Sequence, residues 1–421
     1  IFVETMEHST KTFALKNGLQ LVLTSLSNTE VSHCALLIKA GTRNEQIQQE
    51  GLAHFIEHML FKGTRKRKSF HILNRLEVVG GELNAFTSKE ETCIHASVTT
   101  PHLERALELI SDITFNSVFN SLEIEKEKEV VCDEIRSYLD NPGEQIFDDF
   151  EGIVFKKNPL GNPILGTENS VRNFKQKDLI AFTRKFYIPS NMVLSVASSL
   201  KAEKVIRQLE HHFGKYRLAK VGEKPKPFKK YTAEKTAVKK HNAQCHFIMG
   251  TLAPSLYQAD RMTVSLLNNI LGGPGMNSKL NLGVREKYGY TYAIESGFNS
   301  YTDTGMFHVY LATDKKFLNK SIDLAVAEMK KLTDNKIGTL QLSQYKQQLK
   351  GQLALAKENK SNVVISNARS LLNFKKVTTL EDIYKKIDAV TSSQLVEAAA
   401  KYLNAKSRSY SSLLYESVSH E

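Results

Sequence analysis

The order of elements along the chain repeats once, and this repeat constrains the fold more than any other feature. A strand-like run at Ser32–Ala40 (SHCALLIKA) leads to a helix around Glu50–Lys62. A glycine turn at Gly80-Gly81, alternating segments ending in Cys93–Thr99 and an amphipathic helix after Pro101 follow. Roughly two hundred residues later the series returns, at the spacing of a duplicated domain and far beyond that of a solenoid repeat. His246–Gly250 leads to a helix around Ala259–Leu271, then the turn GGPG at Gly272–Gly275, alternating segments through His308–Thr313, and a helix near Phe317–Leu332. Hairpin-like strands between helices predict an α+β fold of two duplicated domains, each a largely antiparallel sheet with helices packed on one face. The length of 421 residues also exceeds what one core usually supports. The lysine-rich stretch KVGEKPKPFKK at Lys220–Lys230 has prolines, a glycine and no apolar periodicity. It reads as an exposed linker at 220–230 between domains 1–219 and 231–421.

Within the first domain, Gly51–Gly63 (GLAHFIEHMLFKG) leaves almost no polar face. A helix apolar nearly all round is a buried helix. The exceptions are His54, Glu57 and His58, and burying two imidazoles and a carboxylate without partners is costly. His54 and His58 are four residues apart and leave the same face one turn from each other. H-x-x-E-H is the inverse of the zincin H-E-x-x-H arrangement. Two histidines at that spacing can reach one Zn2+, while the glutamate is free to act as a base on water.

A catalytic zinc needs a third protein ligand and an open position. The best donors lie on a helix at Ser121–Asn141, which Asn120 or Ser121 caps and Pro142 stops. Glu127 and Glu134 are two turns apart and share a face, with Val131 and Ile135 as apolar neighbours of Glu134. Glutamates on a solvated helix show the same pattern, and periodicity alone does not choose between the two readings.

H-x-x-E-H followed 76 residues after its last histidine by the second glutamate of E-x6-E resembles the pitrilysin/insulinase family of zinc peptidases. The likeness is greatest to the short bacterial members and to the catalytic subunit of the mitochondrial processing peptidase, and it covers nearly the whole chain. The resemblance implies that His54, His58 and Glu134 hold Zn2+, that Glu57 is the catalytic base, and that Glu127 orients a ligand. It makes 1–219 the catalytic zinc-binding domain. It also implies that Asn84, Ala85, Phe86 and Thr87 form an exposed strand that binds an extended peptide by backbone pairing. In the C-terminal domain, Arg285 and Tyr292 of REKYGYTY match the spacing of a family arginine and tyrosine that contact substrate. The neighbouring Tyr288 and Tyr290 leave the choice of tyrosine open. The implied activity is a zinc metalloendopeptidase acting on unfolded peptides or presequence-like segments. The alternative within the same fold is a non-catalytic, structural or partner subunit. Because one chain carries both the H-x-x-E-H and the Arg/Tyr elements, a homodimer, or a monomer pairing with itself, is expected over an obligate two-gene heterodimer.

Composition closes off other classes. The formal charge is +12, but it is spread over patches such as Lys62–Lys68 and Lys224–Lys230 that have no recognition-helix pattern or interleaved aromatics. No nucleic-acid partner is therefore expected. No apolar run long enough to span a membrane is present. Cys34, Cys93, Cys132 and Cys245 are scattered, which reads as reduced thiols in a cytoplasmic protein. The first residues, IFVETMEHSTKTF, contain no basic segment followed by an apolar stretch. If a leader was removed ahead of Ile1, the expected compartment is periplasmic or organellar instead.

Overall fold

The computed structural model describes residues 10–218, 222, 225–404 and 409–418. Residues 220, 221, 223 and 224 of the expected linker lie outside this range, as do residues 1–9 of the N-terminal stretch. The described residues form two compact units. Within the described residues, the first draws on 10–135, 163–218, 222, 225 and 355–379, and the second on 136–162, 226–354, 380–404 and 409–418.

The first unit is built on a six-stranded sheet. Its strands are β1 (Thr10–Ala14), β2 (Gln20–Ser25), β3 (Val31–Ile38), β4 (Glu82–Thr87), β5 (Thr92–Thr99) and β6 (Met192–Ser198). The spatial order is β1-β2-β6-β3-β5-β4, and only the β2–β6 pair is parallel. The second unit contains β7 (Lys235–Lys240), β8 (Cys245–Ala253), β9 (Thr291–Ser300), β10 (Gly305–Thr313) and β11 (Ser411–Ser417). Here the order is β7-β11-β8-β10-β9, again with one parallel pair, β7–β11. The second sheet thus repeats the first strand for strand, apart from β1. The α+β fold of two duplicated domains, each with a largely antiparallel sheet, that the repeated element order predicts is present.

Alternation of side chains splits each sheet's core between its two faces. In the first unit Leu21, Leu23, Cys34, Leu36 and Ile38 pack into the larger layer beneath the helices Leu52–Leu60 and Leu103–Asn116. Val22, Ala35, Leu37, Cys93 and Val193 face the other way, onto Val364, Ala368, Leu371 and Leu372 of the helix Lys360–Phe374. The second unit has the same design. Ile248, Met306, Tyr310 and Leu413 meet Ile146, Phe150 and Val154 of the helix Pro142–Val154. The main helical layer therefore lies on one face, and a single further helix from the opposite half of the sequence closes the second. This explains why β6 and β10 are buried along their whole length instead of alternating. Each fully buried side chain on these helices contributes roughly 1.5–3 kcal/mol.

The helix Leu52–Leu60 starts at Gly51, which has φ 88°. A Cβ there would lie 2.4 Å from the carbonyl oxygen of Leu165, so both the backbone angle and the space require glycine. Its first turn is capped from outside. The buried Glu45 carboxylate accepts from the backbone N–H of Gly51 at 3.0 Å and of Ala53 at 2.8 Å, satisfying amides that the helix itself leaves unpaired. Gly51→Ala is expected to destabilise the first unit by about 1–3 kcal/mol. A lowered midpoint in chemical denaturation, with the fold otherwise retained, checks this.

Candidate metal centre

Packing presents three polar groups of the Leu52–Leu60 helix on one face. Leu52, Ala53, Phe55, Ile56, Met59 and Leu60 are at most 1% exposed, which fixes the rotation of the helix. His54 and His58 then stand side by side, ring centroids 4.6 Å apart. The helix Ser121–Leu139 buries Ile124, Val131, Cys132 and Ile135, and this packing brings Glu134 opposite the two rings. Glu134 Oε1 lies 3.9 Å from His54 Nε2, and its Oε2 lies 3.6 Å from His58 Nε2. Among the described residues, this is the one set of His, Cys, Asp and Glu side chains with three potential ligand atoms mutually within 4.8 Å.

The remaining bonds set the charge of each group. His58 Nδ1 meets Glu127 Oε1 at 2.9 Å, and Glu127 Oε2 pairs with Lys62 Nζ at 2.5 Å. Burial acts to lower the His58 pKa, but the Glu127 hydrogen bond and the charges of Glu134, Glu127 and Glu57 outweigh it and raise the pKa. Burial likewise acts to raise that of Glu127, yet the hydrogen bonds from His58 and Lys62 hold it below the usual carboxylate range. His54 is 8% exposed. Burial, aided by the His58 charge, pushes its pKa down to about 3, so its ring is neutral at physiological pH. Glu57 accepts a 2.5 Å hydrogen bond at Oε2 from Thr87 Oγ1. Burial raises its pKa in spite of that bond and of His58, and Glu134 adds to the rise.

These groups fit a zinc ion. Ligand atoms bound to tetrahedral zinc at 2.0–2.1 Å stand about 3.3–3.4 Å apart. The 3.6 and 3.9 Å separations are close to that edge, and both are too long for a good hydrogen bond. Two imidazoles and one carboxylate are a donor set of catalytic zinc sites. Glu127 on the far nitrogen of His58 turns Nε2 toward the convergence point, as carboxylates do behind metal-binding histidines.

Asn84, Ala85, Phe86 and Thr87 all lie on β4, the edge strand of its sheet, paired with His95, Ile94, Cys93 and Thr92 of β5. Arg285 and Tyr292 belong to the second unit. Arg285 sits in a short π-helical turn, Asn281–Glu286, within 3.5 Å of Asn281 Oδ1. Tyr292 is on β9 and 62% exposed. Tyr290 instead stacks on Phe317 at 4.6 Å. Three contacts were not foreseen from sequence: Lys62 on Glu127, Glu45 capping the helix, and the Thr87 side chain on Glu57. Only Lys62, one turn beyond His58 on the same face, left a periodic signal.

Residues 20–168 match the family described as insulinase (peptidase family M16), and residues 173–349 match its companion, the peptidase M16 inactive domain. An uncharacterized zinc protease of Bacillus subtilis is 33% identical over 383 residues, covering 90% of this chain and 92% of that one. Another, from Rickettsia felis, is 31% identical over 392 residues, covering 93% and 94%. The crystal structure of a protease from Helicobacter pylori superposes with a TM-score of 0.89 at 24% identity, covering 97% of this chain and 99% of that one.

In metal-free protein, His58 is expected to protonate above the ordinary histidine value, while His54 stays neutral to about pH 3. Ring-nitrogen NMR titration checks both. Glu127→Gln should move the His58 titration down, and an unmoved His58 would contradict the pairing.

Proposed function

The chain belongs to the insulinase family of peptidases, family M16, and from that premise we propose that it is a zinc-dependent endopeptidase with Glu57 as general base. One observation carries the reading. His54, His58 and Glu134 converge from two helices at spacings suited to zinc, and Glu57 lies on the helix that carries the two histidines.

His54, His58 and Glu134 are the ligands, and Glu127 holds the His58 ring in position with support from Lys62. Zinc, when bound, acidifies water and polarises the scissile carbonyl. Glu57 takes the proton of the attacking water and delivers it to the leaving amine. Its raised pKa brings it nearer the neutral range, where a carboxyl can both accept and donate. The edge of β4 at Asn84–Thr87 binds the peptide in an extended form, since any sequence supplies main-chain donors and acceptors. This suits unfolded peptides or presequence-like segments. Arg285 and Tyr292 are assigned to substrate contact by the family resemblance of their spacing, a role in which a guanidinium can clamp a carbonyl and a phenol can donate to a developing oxyanion. A non-catalytic subunit is the weaker reading, since every residue of the motif is present.

The protein is taken to act as a homodimer, which light scattering on the purified protein tests. No described helix is long and apolar enough to cross a membrane. The four cysteines are buried and free of disulfides, which supports a reducing, cytoplasmic location.

Glu57→Gln is expected to retain zinc and lose cleavage of a mixed peptide library by a factor of at least about a hundred, read by mass spectrometry of the products. Persistent cleavage would remove Glu57 from the role of base. Glu134→Gln is expected to lose zinc on dialysis. Normal metal content in that variant would point to a different third ligand.

A further inference from the structure

The contact between Thr87 and Glu57 joins two parts of the site that the sequence treats as separate. Thr87 is the last residue of β4, the strand proposed to pair with the peptide backbone. Its side-chain hydroxyl is turned toward the helix and donates to Glu57 Oε2 at 2.5 Å. A hydroxyl on one carboxylate oxygen fixes the plane of the carboxylate and leaves Oε1 available. We propose that Thr87 is a positioning residue for the base, so that the strand which aligns the peptide also aims the group that moves the proton. This rests on the peptidase reading above.

The surroundings of Thr87 hold the hydroxyl in place. Its hairpin closes through Ser88, whose backbone N–H donates to the Glu91 carbonyl at 2.8 Å and whose Oγ accepts from the Glu91 N–H at 3.2 Å. The loop 41–43 packs on the hairpin tip. Thr42 N–H donates to the Ser88 carbonyl at 3.2 Å, and Arg43 N–H donates to the Lys89 carbonyl at 2.8 Å. A Cβ on Gly41 would lie 2.1 Å from the Ser88 carbonyl oxygen, so the approach is as close as a glycine permits. From the other side, Arg369 Nε donates to the Glu91 carboxylate at 2.7 Å. Two residues beyond the loop, Glu45 caps the helix that carries Glu57. Hairpin and helix are thus referenced to the same short segment, 41–45. The separation between Thr87 and Glu57 is set by backbone contacts instead of by two free side chains. Geometry held in this way costs little reorganisation when the base acts.

The test compares Thr87→Val, which keeps the shape and removes the hydroxyl, with Thr87→Ser, which restores it. For zinc-loaded protein on a single peptide, Thr87→Val should lower kcat by about tenfold to a hundredfold, the effect of losing a hydrogen bond to a charged group. KM should stay within about threefold, because the backbone edge that binds peptide is unchanged. Zinc content and melting temperature should match the parent, and Thr87→Ser should recover most of kcat. A normal kcat in Thr87→Val, a change confined to KM, or a serine variant no better than valine would overturn the proposal. Crystal structures of zinc-loaded parent and Thr87→Val read the position of Glu57 whether or not any peptide is cut. Displacement or disorder of the carboxylate in the valine variant is expected, and an unmoved Glu57 would overturn the proposal. Absence of cleavage by the parent protein would instead count against the peptidase reading.

Discussion

The helix Leu52–Leu60 carries three titratable side chains into an apolar layer, and two segments of the first unit, the helix Ser121–Leu139 and the end of β4, supply the groups that face them. His58 is paired with Glu127 on the helix Ser121–Leu139, Glu57 with Thr87 at the end of β4, and His54 faces Glu134. Burial of uncompensated polar groups at these positions would cost several kcal/mol. For His58 and Glu57 the neighbours that supply these bonds must therefore arrive in register. That requirement ties the candidate site to the fold: the sheet edge, the glutamate helix and the capping loop are all held against the same nine residues.

Electrostatics separates the roles of the two histidines. His54 is kept neutral by burial, whereas His58 is held closer to protonation by the carboxylates around it. A zinc ion held as proposed would compete with no proton at the first and would displace one from the second as pH falls. The Glu127–Lys62 pair closes this chain of charges. Lys62 holds Glu127 ionised, and ionised Glu127 fixes the His58 ring.

Much of this was legible in the sequence because it follows helical periodicity. His54 and His58 at four residues, and Glu127 and Glu134 at seven, declare shared faces by their spacing alone. The repeated order of strand, helix, turn, hairpin and helix likewise announced two sheets of similar topology. The glutamates alone did not declare themselves as ligands, and family resemblance was needed to choose them. Contacts made between distant segments were not legible. Nothing in the run 142–154 says that Ile146, Phe150 and Val154 cover the sheet of the second unit, since an amphipathic pattern names a buried face but not its partner. The same holds for Glu45, whose role exists only because the loop 41–45 returns to the helix start. Sequence points to Thr87 only for its backbone, and its hydroxyl acquires meaning only from the proximity of Glu57.

The central claim is that His54, His58 and Glu134 together form a zinc site. X-ray absorption at the zinc edge on the purified, zinc-loaded protein tests it most directly. Two imidazole nitrogens and carboxylate or water oxygens at about 2.0–2.2 Å are expected, with the outer-shell imidazole scattering halved in His54→Ala. Sulfur scattering near about 2.3 Å, or a spectrum unchanged by His54→Ala, would contradict the account.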